Sequence, residues 1–110
     1  MTVLTILLLR HGQTDWNHTG RWQGHADIPL NETGQKQAEA LCLRLRSWPI
    51  DTIYTSDLQR CVQTAVPLAA ELGIEPIKTQ IWRERDVGDF SGLTGEQARE
   101  QFPDVWARAT

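Results

Sequence analysis

With 110 residues, a formal net charge of −3 and 40% hydrophobic residues, the chain is sized for one domain or part of one. The mildly acidic balance argues against nucleic acid or an anionic membrane as partner, but leaves room for an anionic small substrate in a locally basic pocket. The two cysteines, Cys42 and Cys61, lie in apolar helical patterns without metal-ligand spacing, and read as small buried residues of a reducing compartment.

The run 3–9 is apolar apart from Thr5 and does not alternate, which predicts a strand covered on both faces of a parallel sheet. Arg10 closes it, and neither a basic leader nor a small-residue cleavage site accompanies it. It is therefore read as a strand and not as a signal peptide or a span, and a cytoplasmic location follows by default. Gly12, Gly20, Gly24 and Pro29 make 10–30 a long loop of the functional kind. Asn31 is a good N-cap for a helix near 32–47, with Ala38, Leu41, Cys42 and Leu45 on one face and Pro49 beyond its end. A short strand near 52–55 follows. Ser56 and Gln59 then read as a capping pair for a helix near 57–72, whose inner face would carry Leu58, Val62, Ala65, Ala69 and Leu72. Pro67 predicts a kink in it, and Gly73 its end. A third strand near 75–79 precedes a charged, turn-rich stretch. Thr94 and Gln97 cap a helix near 95–102, and Pro103 begins another.

Strand and helix in alternation predict an α/β layered fold. With right-handed crossovers, both helices of this run fall on one face of the sheet. A strand as apolar as 3–9 is then left uncovered, so part of the domain is expected to lie outside these residues.

The chemistry concentrates in Leu9-Arg10-His11-Gly12-Gln13-Thr14-Asp15-Trp16-Asn17. His11 lies just past the carboxyl end of the first expected strand, where open α/β sheets bind ligands. A neutral imidazole nitrogen can attack phosphorus. The adjacent Arg10 disfavours a second positive charge there and can grip phosphate oxygens in bidentate fashion. Arg60, in the first turn of its helix, can reach back over the same edge of the sheet; viewed alone it reads as a solvated arginine. Glu84, in an acid- and arginine-rich stretch, is a carboxylic acid able to protonate a leaving oxygen and then deprotonate water; viewed alone it reads as one of several loop acids. Gln13, Thr14, Asn17, Gln23 and Gly24 can donate hydrogen bonds to a phosphoryl group or to the rest of a substrate. His11, His18 and His25 have no metal-binding spacing, and no cofactor is expected.

Taken together, four blocks resemble the histidine phosphatase superfamily, the family of the phosphoglycerate mutases: 9–17, 30–38, 55–65 and 84–92. The resemblance implies a three-layer α/β/α fold of the phosphoglycerate mutase-like kind. It implies His11 as phosphoryl acceptor, Arg10 and Arg60 as phosphate ligands with Asn17 lining the pocket, Glu84 as proton donor, a small phosphorylated substrate and no metal. Gln23-Gly24-His25 stands where mutases carry a threonine-glycine-tryptophan run. Phosphomonoester hydrolysis is therefore expected first, with mutase-type phosphotransfer or a non-catalytic phosphate-binding module as alternatives. Family members run to about twice this length and place a second catalytic histidine, and a strand between the first two strands, in a later half. No histidine follows His25 here. The expectation is that 1–110 is the N-terminal part of one such domain, weakly active or inactive alone.

Overall fold

A computed structural model describes residues 3–109. In chain order the elements are α1 (Asp15–His18), α2 (Glu32–Leu45), β1 (Tyr54–Ser56), α3 (Gln59–Leu72), β2 (Ile77–Thr79), α4 (Gly95–Gln101) and α5 (Pro103–Ala109), with 3-10 turns at Gln80–Trp82 and Gly88–Phe90. β1 and β2 pair in parallel, Tyr54 opposite Ile77 and Ser56 opposite Thr79, so α3 is their crossover helix. α3 packs on β1, and α2 packs on α3. No helix among the described residues is long and apolar enough to cross a membrane.

Local chemistry sets most helix ends. The Asn31 side chain accepts from the Gly34 amide at 2.8 Å and opens α2. Thr94 and Gln97 form a reciprocal capping box at the start of α4. Gly73 closes α3 at φ 67°, a left-handed conformation that glycine adopts without strain. Thr14 and Asn17 form a second capping box, which turns part of the expected loop into α1. The expected Ser56–Gln59 pair does not form. Ser56 Oγ accepts from the Leu58 amide at 3.2 Å, and the Gln59 amide donates to Asp27 Oδ1 at 2.7 Å. The donor at the start of α3 is thus satisfied by a carboxylate from a distant loop.

The core also differs from the expected pattern. Leu58 and Ala69 are buried as expected, but the buried stripe of α3 runs through Arg60, Thr64 and Leu68, with Val62, Ala65 and Leu72 only half-buried. These three positions lie four apart on one helix face, and the first two are polar because their polar groups find partners inside. Leu30, Ala38 and Leu45 complete this core. A second cluster joins Trp22, Phe90, Phe102 and Trp106, with ring centroids 5.8 to 6.3 Å apart.

The strand expected over 3–9 is not formed. These residues pair with no neighbour in the sheet, and Leu4 and Leu8 are 82% and 89% exposed. A strand exists only through a ladder partner, and the described residues supply none. The strand expected near 52–55 is displaced to Tyr54–Ser56, the other expected elements occur with the same or shorter ends, and Thr110 lies outside the described residues.

The loop that follows 3–9 is seated on α2 through two glycines. A Cβ on Gly12 would fall 2.7 Å from the Gly34 carbonyl oxygen, and one on Gly34 would overlap the Gln13 carbonyl oxygen. Neither backbone can yield without moving the loop off the helix. Alanine at 34 gains about 1 kcal/mol of helix propensity, but a backbone clash costs more. Gly34→Ala is expected to lower the thermal unfolding midpoint by about 4 °C or more, measured by circular dichroism; an unchanged or raised midpoint would show that the approach is not tight.

Candidate active site

The His11 ring is half-buried, with Nδ1 2.6 Å from the Gly12 carbonyl oxygen. A carbonyl only accepts, so Nδ1 carries the proton, and in the neutral ring Nε2 keeps its lone pair. The loop bearing it is braced from two helices. The Gly12 amide donates to Thr64 Oγ1 at 2.9 Å, that hydroxyl donates to the Arg60 carbonyl at 2.7 Å, and the Gln13 amide donates to Gln37 Oε1 at 2.8 Å. Arg10, His11, Gly12, Gln37, Leu41 and Thr64 line a cavity of about 230 Å³.

Arg60 is fully buried. Its Nη1 donates to the Ala26 carbonyl at 2.7 Å, and its Nη2 to the Gly24 carbonyl at 2.5 Å and to Glu84 Oε2 at 3.0 Å. Nε has no acceptor. The Glu84 side chain is exposed, and lines a second cavity of about 320 Å³ with Gln23, Gly24, Arg85 and Val87. The His25 ring reaches the same stretch, with Nε2 2.7 Å from the Glu84 carbonyl oxygen. The structure thus places Arg10 with His11, and Arg60 with Glu84. Among the described residues no hydrogen bond or ion pair joins the His11 side chain to the other three; Thr64 connects the two groups through the Arg60 backbone.

Of the remaining expected site residues, Thr14, Asn17 and Gln23 hold one another, and Gln13 pairs with Asn31. The Thr14 hydroxyl donates to Gln23 Oε1 at 2.6 Å, Asn17 Oδ1 accepts from the Thr14 amide at 3.0 Å, and Gln13 Oε1 accepts from Asn31 Nδ2 at 3.0 Å. They shape the loop by pairing its polar groups. Thr64 and Gln37, which brace the His11 loop, were not anticipated. The sequence signal for Thr64 is its place one turn beyond Arg60; for Gln37 there is none.

Asp57 and Arg83 form a two-pronged ion pair, Nε to Oδ1 at 2.6 Å and Nη2 to Oδ2 at 2.8 Å, which ties the stretch leading to Glu84 to the start of α3. The hydrogen-bonded guanidinium holds the Asp57 carboxyl below the usual carboxylate range. Cys42 and Cys61 are half-buried free thiols, and burial pushes the Cys61 thiol up. Among the described residues no three His, Cys, Asp or Glu side chains gather into a possible metal site.

The family model described as histidine phosphatase superfamily (branch 1) matches residues 6–110. A phosphoglycerate mutase-like protein 4 of Arabidopsis thaliana is 38% identical over 103 residues, covering 92% of this chain and 45% of that protein. Phosphoserine phosphatase 1 of Hydrogenobacter thermophilus is 37% identical over 106 residues, covering 96% of this chain and 50% of that protein. A mycobacterial glucosyl-3-phosphoglycerate phosphatase, solved with VO3, superposes with a TM-score of 0.81 at 37% identity, over 89% of this chain and 49% of that one. The chain spans about half the length of the curated relatives it matches.

Because the folded-state pKa of Asp57 is depressed, its ion pair contributes stability in full above the unfolded carboxyl value of about 3.9 and loses it as pH falls through the folded value. Asp57→Asn is expected to lower the thermal midpoint at about pH 7, with the gap to wild type closing below about pH 4. Melts across that range check it, and a gap that persists in acid would show that charge is not its basis.

Proposed function

The chain belongs to the histidine phosphatase superfamily, and from that premise we propose that it is a phosphomonoester hydrolase unit that takes the phosphoryl group onto His11. The observation that carries this reading is the Nδ1–H bond to the Gly12 carbonyl, which leaves Nε2 as the ring's nucleophilic atom. The Nε2 lone pair attacks phosphorus, the bond from phosphorus to the leaving oxygen breaks, and that oxygen takes a proton from Glu84. Water then attacks the phosphohistidine, gives its proton to the Glu84 carboxylate, and the P–N bond breaks to restore the ring.

Arg10 supplies positive charge in the His11 cavity, and Arg60 carries it beside Glu84. The Asp27 carboxylate, on the α3 N-terminus, and the carbonyls on Arg60 keep the 24–27 loop near this charge. These residues form the phosphoryl-accepting part of a single domain that acts on a small phosphorylated substrate. No histidine follows His25 in the sequence to complete the pocket, so turnover of the phosphohistidine by these residues alone is slow. Hydrolysis is preferred to mutase transfer because Gln23-Gly24-His25 occupies the loop before Asp27.

A radiolabelled aryl phosphomonoester is expected to leave an acid-labile, base-stable label on the protein that falls to background in His11→Ala. Reversible phosphate uptake without a covalent adduct would replace the enzyme by a binding module. Rapid multiple turnover, lost in His11→Ala, would overturn the slow second step, and phosphoryl transfer to phosphoglycerate would replace hydrolysis by mutase chemistry.

A further inference from the structure

We propose that His25 is a positioning residue for the proton donor: its ring holds Glu84 in place through the Glu84 backbone carbonyl. This rests on Glu84 being the proton donor of the reaction above. The exposed Glu84 side chain is held at its carboxylate by Arg60 Nη2 at 3.0 Å. Its backbone is held separately, by His25 Nε2 at 2.7 Å from the carbonyl oxygen. The carbonyl can only accept, so Nε2 bears the proton, and Nδ1 faces the Asp86 carboxylate at 3.9 Å.

The base of the His25 side chain is itself immobilised. The carbonyls on either side of it, Gly24 and Ala26, both accept from the Arg60 guanidinium. One buried group therefore fixes the Glu84 carboxylate directly and its carbonyl through the histidine. The two loops also touch at Gly24, where φ is +52° and a Cβ would meet the Val87 amide at 2.8 Å and the Arg85 carbonyl at 3.0 Å. Contact this close leaves the 84–87 stretch little freedom to move while the histidine bond is made. Without that bond the Glu84 carbonyl loses its hydrogen bond to the 24–26 loop, and the residue is held by Arg60 at its carboxylate and by its chain neighbours, Arg83 through Asp57 and 85–87 through the contact at Gly24. A proton donor displaced by a fraction of an ångström matters most where the leaving oxygen is a poor leaving group.

The test compares the 110-residue protein with His25→Phe, which keeps a ring and removes the donor, and His25→Gln, which returns an N–H near the place of Nε2. Single-turnover formation of the phosphohistidine is measured with p-nitrophenyl phosphate and with ethyl phosphate. His25→Phe is expected to slow the ethyl phosphate reaction by about tenfold or more, with the p-nitrophenyl phosphate reaction within about threefold of wild type and with His25→Gln recovering most of the loss. Equal slowing with both substrates would reduce His25 to a structural tie and overturn the proposal. In parallel, nitrogen-15 NMR of the unliganded protein is expected to show the Nε2–H tautomer of His25. The Arg85 amide, which shares its peptide with the Glu84 carbonyl, should shift in His25→Phe and return toward wild type in His25→Gln. An unmoved Arg85 amide would show that the contact does not exist in solution, and would overturn the proposal whatever the kinetics. A wild-type protein that shows the NMR contact yet forms no phosphohistidine from either substrate would instead overturn the function proposed above.

Discussion

A guanidinium sealed from solvent is the constraint on which this structure turns. Removing the charge of Arg60 from water costs several kcal/mol unless acceptors replace the lost hydration. The protein supplies two backbone carbonyls and one carboxylate, from Gly24, Ala26 and Glu84. Those acceptors sit on two loops that have no regular structure to fix them. The need to satisfy Arg60 gives both loops a common anchor, and the loops in turn keep water from the guanidinium. Burial of the charge and the placement of Glu84 are therefore one arrangement seen from two sides.

The same helix face carries the opposite end of the site. One turn beyond Arg60, Thr64 accepts from the Gly12 amide and donates to the Arg60 carbonyl. A single stripe of α3 thus braces the loop that bears His11 on one side and the loop that bears Glu84 on the other. The hydrogen bonds that α2 adds through Gln37 and Asn31 hold the first loop from behind. The glycine pair at 12 and 34 allows the approach that these bonds need. Within that loop Thr14, Asn17 and Gln23 hydrogen-bond one another, which stiffens it.

The apolar run 3–9 stands apart from this order. It is the most hydrophobic stretch of the chain and among the most exposed, while the two strands that do pair contribute three residues each. The chain spans about half the length of the curated relatives it matches.

What could be read from the sequence was whatever short-range chemistry decides. Asn31, Gly73 and the Thr94–Gln97 pair set helix ends through contacts within four residues, and they stand where the pattern put them. The α/β character and the family were legible for the same reason, since spacing and motif are local properties. The tertiary structure alone decided the rest. Arg60 meets partners 24 to 36 positions away, Asp27 caps a helix 32 positions on, and the buried stripe of α3 turned toward those partners in place of the more apolar face. The run 3–9 had the composition of a strand, but composition cannot supply the neighbouring backbone whose hydrogen bonds make one. Propensity is written in single residues and their near neighbours, whereas burial of a charge and pairing of a strand are properties of two segments at once.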